Sequence, residues 1–527
     1  MRTSLLAFML IAGLILPAQR PGRFGAAAPA PPGAGSDDDD SWDDDDEVGD
    51  RQSDDEDRDA EDEEKGDDED GQARTGPRGV ENRGESLGPK GGVQGRGGLE
   101  ITRGPYLQLS TPASVTIRWR TSQPTSSRVQ YGGSPDRLEL QKTETAASTE
   151  HEMQLTGLSP DTRYSYSIGT SSSVLAGGPD YAFRTAPPVG SNRAVRIWMI
   201  GDSGRSGEAQ QRVRDAYDAY SGAASTDVWL LLGDNAYDSG TAPQYQAGFF
   251  QPYATRLRST VVWPSRGNHD QTRAGPDNDY YDFFALPTAG EAGGTASGTE
   301  AYYSFDFANV HFVCLDAERL DGRMIEWLTA DLAATDQDWV IAYWHHPPYS
   351  KGSHDSDGDG IMTQARRRFL PVLEAGGVDL VACGHSHAYE RSFLLDGHYG
   401  SSASLSRSMI LDRGDGRPDG SGPYRKPTFG RPAPHEGAVY VVVGSSSKLG
   451  GGRLDHPAHA RSLNALGSLA VDVSGKRLDA AFVDDRGRVA DRFAIVKGKD
   501  PVSSVDGRPG EADARRPGAN TGGRTER

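Results

Sequence analysis

A chain of 527 residues is long enough for two or three domains, and its formal net charge of −20 comes from a single tract. Residues 37–70 hold 23 acidic side chains against Arg51, Arg58 and Lys65, a local charge of −20, so the remainder balances at 53 acidic and 53 basic residues. That balance gives no electrostatic argument for nucleic acid as a partner, and two cysteines, Cys314 and Cys383, are too few for a disulfide scaffold.

The chain opens with "MRTSLLAFMLIAGLILPA", in which Arg2 precedes an apolar run from Leu5 to Leu16 and then small residues. This is the layout of a secretory signal and is too short for a comfortable membrane span. A signal peptide over residues 1–18 is therefore expected, and with it a secreted, periplasmic or cell-surface protein with no membrane contact beyond an uncleaved leader. Residues 19–98 read as a disordered linker, first Pro/Gly/Ala-rich, then acidic, then Gly-rich. So charged a run, with so few apolar residues, cannot bury enough surface to offset its ordering entropy. A solvated spacer is favoured over a role in holding calcium or basic partners.

From residue 99 to 188 short runs such as "SVTIRWRT" and "RYSYSIG" alternate apolar and polar positions between Pro, Ser, Gly and Asp. That pattern predicts an all-β sandwich with Trp119 in its core. The segment "LTGLSPDTRYSYSIG", with Leu158, Pro160, Thr162 and Tyr164 at alternate positions, resembles the tyrosine corner of fibronectin type III domains. No catalytic constellation lies within it.

Over residues 193–497 apolar strands alternate with helical stretches, an α/β pattern. Val213, Ala216, Tyr217 and Tyr220 fall on one helical face, and further helices are expected at "DGRMIEWLTADLAA" and around Ala365 to Glu374. Cys314 and Cys383 sit inside the apolar runs "HFVCLDA" and "DLVACGH", where a cysteine packs as a small hydrophobe. The last long segment reads as a hairpin turning at Arg486-Gly487, and a disordered tail is expected over 498–527.

Five apolar runs in this second domain end in polar residues suited to metal binding: "VRIWMIGDSG", "DVWLLLGDNAY", "VVWPSRGNHD", "WVIAYWHHPPYS" and "VDLVACGHSHAYER". They supply Asp202, Asp234, Tyr237, Asn268, His345 or His346, His385 and His387. Singly, each has an ordinary explanation as a turn, a cap or a hydrogen-bonded histidine. Jointly, each at a strand end where loops converge on a rigid sheet, they point to a metal site.

The ordered set GDxG, GDxxY, GNH(D/E), a strand-end histidine before proline and GHxH is similar to that of the calcineurin-like metallophosphoesterases. The tyrosine and "GHSHAYER" resemble the purple acid phosphatase branch, in which a fibronectin-like domain also precedes the catalytic domain. The likeness covers roughly Arg196 to Val496. It implies a β-sandwich flanked by helices and a pair of metals. A ferric ion would be held by Asp202, Asp234, Tyr237 and His387, and a divalent ion (Fe2+, Zn2+ or Mn2+) by Asn268, His345 and His385, with Asp234 bridging. Where the family pattern has a valine three residues before the fourth-motif histidine, this chain has Ala342, and His345 is preferred to His346 because His346 takes the place of a non-ligand residue before the proline. By the same resemblance His269 and His354 are outer histidines for phosphate contact and leaving-group protonation.

The resulting expectation is an exported binuclear-metal phosphatase that hydrolyses small-molecule phosphomonoesters by attack of metal-activated hydroxide. Rival readings are a phosphodiesterase or nucleotide hydrolase with the same centre, and a non-catalytic surface-binding protein. One further motif, "DSDGDG" from Asp355 to Gly360, starts like a calcium loop, but its twelfth position is Arg366 instead of glutamate.

Overall fold

The computed structural model describes residues 98–222, 225–271 and 279–498. The expected signal peptide, the linker up to residue 97 and the tail beyond residue 498 lie outside the described residues.

The first domain is built from β1 (Ile101–Gln108), β2 (Ser114–Gly132), β3 (Leu140–Thr156), β4 (Arg163–Gly169) and β5 (Val174–Arg184), all antiparallel. The register of β2 on β3 slips between Arg120 and Ser127. Before the slip β2 is flanked by β1, and after it by β4, so one long strand serves two ladders around a shared core. Val115, Ile117, Trp119 and Val129 of β2 alternate inward onto Met153, Leu155, Tyr166 and Phe183. The Trp119 ring stacks on His151 at 4.7 Å, and the Ser159 amide donates to the Tyr164 hydroxyl at 3.0 Å, closing the turn into β4.

This domain docks on the second through buried polar pins. Tyr106 Oη donates to the Phe283 carbonyl at 2.9 Å, Tyr166 Oη to that of Arg258 at 2.8 Å, and Gln108 Oε1 accepts from the Ala285 amide at 2.8 Å. The Arg103 guanidinium lies 4.2 Å from the Phe283 ring centroid, a cation–π contact across the same seam.

The second domain contains β6 (Val195–Ile200), β7 (Val228–Leu232), β8 (Val262–Ser265), β9 (Tyr303–Phe307), β10 (Val310–Cys314), β11 (Trp339–Tyr343), β12 (Leu380–Cys383) and β13 (Tyr389–Ser392). It continues with β14 (Leu394–Leu395), β15 (Ile410–Asp412), β16 (Tyr424–Lys426), β17 (Val439–Val443), β18 (His459–Leu463), β19 (Gly467–Ser474), β20 (Arg477–Asp484) and β21 (Val489–Lys497). Two seven-stranded sheets result, ordered β18-β13-β17-β12-β11-β10-β9 and β16-β21-β20-β19-β6-β7-β8. The strands run parallel in the middle of the first sheet, β10 with β11, β12 and β17, and at one end of the second, β6 with β7 and β8. Parallel strands covered on both faces must be apolar throughout, which is why "VWLLL" and "WVIAY" read as unbroken hydrophobic runs.

Helices Glu208–Ser221, Gly322–Ala334 and Gly360–Ala375 pack on this frame. The last two are N-capped by Asp321 and Asp359, which accept from the Met324 and Met362 amides at 2.8 and 2.9 Å. The first buries Val213, Ala216 and Tyr217 as expected, but Tyr220 is 37 % exposed. The buried stripe runs instead through Gln210, whose amide nitrogen faces the carbonyls of Ser203 and Gly248. The hairpin of β20 and β21 turns at Gly487, with φ of 76°. Cys314 and Cys383 are free and buried.

Candidate metal centre

The carboxyl ends of β6 and β12, one from each sheet, meet so closely that a Cβ on Gly201 would stand 3.1 Å from the Gly384 Cα. The strand ends of β7, β8 and β11 open onto the same gap. Sterics also explain the glycine before each polar residue. A Cβ on Gly233 would lie 2.4 Å from His345 Nδ1, and one on Gly384 would lie 2.5 Å from Asp202 Oδ2. Immediately after these glycines the chain enters the left-handed region at non-glycine residues, with φ of 54° at Asp202, 53° at Asp234 and 66° at His385. Such strain costs energy, so its recurrence at three residues of one cluster marks a functional geometry.

Two sets of donors share one carboxylate. On the first side Tyr237 Oη lies 2.9 Å from Asp234 Oδ2, 3.2 Å from Asp202 Oδ1 and 3.4 Å from His387 Nε2. On the second side Asn268 Oδ1 lies 3.0 Å from His345 Nε2 and 3.2 Å from His385 Nδ1, and His345 Nε2 is 3.4 Å from Asp234 Oδ1. Asp234 thus turns one oxygen to each set. His345 Nδ1 donates to the Leu232 carbonyl at 2.8 Å, which leaves the Nε2 lone pair directed into the gap.

His346 behaves differently. Its Nδ1 faces Glu318 Oε1 at 3.3 Å, outside both donor sets, and burial followed by His385 and His345 pulls its imidazole well below the ordinary range. The outer histidines flank the gap. His269 donates from its amide to Asp234 Oδ1 at 2.9 Å and from Nδ1 to the Asp238 carbonyl at 2.7 Å, leaving Nε2 toward the gap, 4.0 Å from Asp234 Oδ2. His354 stacks on His385 at 3.9 Å, and burial followed by His385 and His387 lowers its pKa to about 4.

The electrostatics demand positive charge. Burial would pull His345 down, yet Asp234 and then Asp202 push it up to about 10. Burial would push Asp234 up, yet His345 and then His269 hold it below the usual carboxylate range. Burial, then Asp202 and Asp234, raise the Tyr237 phenol far above its ordinary value, so it ionises here only if a strongly charged cation stands among the three. Carboxylates, a phenol, a carboxamide oxygen and imidazoles form donor sets of a kind that could hold metal ions.

Several supporting residues carry no metal-ligand pattern in the sequence. Asp270 accepts from the amides of Asn235 and Gly267 at 2.8 Å and from Tyr245 Oη at 2.7 Å, tying the loops after β7 and β8 to the short helix Ala242–Tyr245. Glu390 accepts from Ser350 Oγ and, at 3.1 Å, from the Lys351 amide, anchoring the loop that bears His354. Ser447 Oγ donates to the Asp202 carbonyl. Asp270 and Glu390 lie inside the motifs "GNHD" and "GHSHAYER", and that adjacency is the signal the sequence offers for them. In the "DSDGDG" loop Lys351 Nζ lies 2.5 Å from Asp355 and 2.9 Å from Asp357, while the buried Arg366 donates to the carbonyls of Pro348 and Ser356.

Residues 195–389 match the calcineurin-like phosphoesterase family, and residues 103–185 match the N-terminal domain of purple acid phosphatases. The chain therefore carries a calcineurin-like metallophosphoesterase domain behind an N-terminal β-rich domain of the purple acid phosphatase type. Several plant relatives bear that name. Purple acid phosphatase 18 of Arabidopsis thaliana is 28 % identical over 306 residues, covering 54 % of this chain and 65 % of the relative. Purple acid phosphatase 23 of the same plant is 28 % identical over 350 residues, covering 54 % and 73 %. The chain thus spans about two thirds to three quarters of the length of these two relatives. A purple acid phosphatase from yellow lupin seeds shares the fold, with a TM-score of 0.56 at 16 % identity over 75 % of this chain and 74 % of that one.

Proposed function

We propose that the protein hydrolyses phosphate esters, small phosphomonoesters in particular, at a pair of metal ions held between the two sheets. The observation that carries this reading is Asp234, whose two oxygens face separate donor sets, one of which contains a phenol. Asp202, Asp234, Tyr237 and His387 would hold a ferric ion. Asn268, His345 and His385, with Asp234 shared, would hold a divalent one, Fe2+, Zn2+ or Mn2+. When bound, such a pair makes hydroxide available near neutral pH and neutralises phosphate oxygens during in-line displacement.

The remaining work falls to the chain. His269 is fixed by its Nδ1 bond to Asp238 and presents Nε2 toward the gap, where it contacts a phosphate oxygen. His354, on the opposite side against His385, stands where a leaving alkoxide takes its proton. An arriving phosphate dianion supplies the negative charge that lets this otherwise neutral imidazole hold the proton. The apolar leader supports export of the protein, and the composition of the acidic tract supports its reading as a solvated tether.

Metal analysis of purified protein, with rates on p-nitrophenyl phosphate and its bis ester, tests the proposal. Two metals per chain and faster cleavage of the monoester are expected. Preference for the bis ester would make the protein a phosphodiesterase, and bound metal with no hydrolysis of either ester would leave it a non-catalytic binding protein.

A further inference from the structure

His385 is placed between two groups that ask different things of its ring. Nδ1 faces Asn268 Oδ1 at 3.2 Å, inside the second donor set. Nε2 points the other way, buried, and has no hydrogen-bond partner among the described residues. The group it faces is Asp359, whose Oδ2 lies 3.7 Å away. Neighbouring His354 and His346 rings, at 3.9 and 4.1 Å between centroids, hold the plane of the imidazole.

We infer that Asp359 is a positioning residue of the metal centre: it accepts a hydrogen bond from Nε2–H of His385, which keeps the ring proton on Nε2 and leaves the Nδ1 lone pair for the divalent ion. The inference rests on the metal reading of the site. A neutral imidazole carries one N–H, a carboxylate only accepts, and so a carboxylate at Nε2 fixes the tautomer. Asp359 is itself held in place, because its Oδ1 caps the helix Gly360–Ala375 by accepting from the Met362 amide at 2.9 Å. A capped helix end is a stiff mount, and it holds the carboxylate oxygen that faces the outer nitrogen of the ligand ring. This also gives the last aspartate of "DSDGDG" a role that the calcium pattern did not. One loop then carries both His354 and the carboxylate that sets the protonation of the ring beneath it.

Capping alone is the plainer account of Asp359, and substitution separates the two. Asparagine and serine both cap helices well. In Asp359→Asn the amide nitrogen replaces Oδ2 and offers Nε2 a donor, which drives the ring proton onto Nδ1. Asp359→Ser keeps a cap but no longer reaches the ring. Asp321→Asn, at the cap of Gly322–Ala334, is the control for a changed cap away from the site. The readouts are metal per chain under graded chelator, the visible spectrum and the melting temperature.

Wild type and Asp321→Asn should retain both metals. Asp359→Asn and Asp359→Ser should keep the ion on the Tyr237 side with its absorption, and bind the other on the order of 10–100-fold more weakly. Retention of both ions at wild-type affinity in Asp359→Asn would reduce Asp359 to a cap and overturn the inference, as would equal loss of both ions with a lowered melting temperature in both variants. Wild-type protein that binds no metal overturns the metal reading itself, and this inference with it.

Discussion

The Tyr237 hydroxyl lies 2.9 Å from Asp234 Oδ2, three residues away across one strand-end turn, while the other oxygen of Asp234 faces His345. A phenol wedged between two carboxylates resists ionisation, so in the proposed centre it would act as a ligand only beside a highly charged ion. Asp234 then belongs to both sides of the centre and Tyr237 to one.

That asymmetry predicts the spectrum. The wild-type protein should be coloured by phenolate-to-iron charge transfer, and Tyr237→Phe should abolish the band while the Asn268 side still binds its divalent ion. Visible absorption and metal analysis on the two proteins check this. A colourless, active, iron-free wild type would mean that Tyr237 only packs the loop.

His345 and His346 are adjacent, yet their rings are spent on different neighbours. His345→Ala should lose the divalent ion and lower turnover on the order of 10²–10³-fold. His346→Ala should keep both metals and cost about 1–3 kcal/mol of stability, because a buried imidazole is replaced by a void. Metal content of each variant decides the register, and the reverse result would place His346 in the centre.

The parts of the centre legible in sequence share one property: each donor follows its strand within a few residues, and four of them, Asp202, Asp234, Asn268 and His385, stand directly behind a glycine that the crowding requires. Asp202, Asp234 and His385 can be picked out because motif and strand end coincide. Strand and helix assignments in the second domain are legible for the same reason, since parallel strands covered on both faces leave unbroken apolar runs. Partners contributed from elsewhere are not. Glu318 meets His346 and Ser447 meets Asp202 across long separations in sequence, and no local pattern marks either contact. Asp359 is visible as part of a loop motif, but which of its oxygens caps a helix and which faces His385 depends on how the two sheets close.

His311 on β10 offers a test far from motif logic. Its Nδ1 lies 2.8 Å from Asp306 Oδ1 and its Nε2 2.9 Å from Asp331 Oδ2, tying β9 to the helix Gly322–Ala334. Burial pulls the imidazole down, but the bonds to both carboxylates raise it to about 9. A pKa raised in the folded state means stability that is fully present below about 6.5 and is lost as pH climbs through about 9. A tenfold change in a protonation equilibrium is worth about 1.4 kcal/mol, so the contribution is on the order of 3 kcal/mol. Urea melts of wild type and His311→Gln should therefore differ most near pH 6 and converge by about pH 10. A gap that is the same at both ends would show that the imidazole is not charged in the native protein.

Asp379 closes the opposite end of β12 from His385. Its Oδ1 lies 2.6 Å from Lys426 Nζ and its Oδ2 2.9 Å from Lys497 Nζ, with all three side chains fully buried. The two lysines come from β16 and β21, so the triad links one sheet to the other at the end remote from the metal centre, and Lys497 Nζ also donates to the Asp338 carbonyl at 2.6 Å. Removing the carboxylate strands two buried ammonium groups, and Asp379→Ala should cost about 3–5 kcal/mol. Replacing all three by apolar residues of similar size removes the charges together, so the triple variant should recover most of that loss. Denaturant unfolding measures both. An Asp379→Ala cost below about 1 kcal/mol would show that the lysines find other partners or deprotonate, and that the sheets are held together here by packing alone.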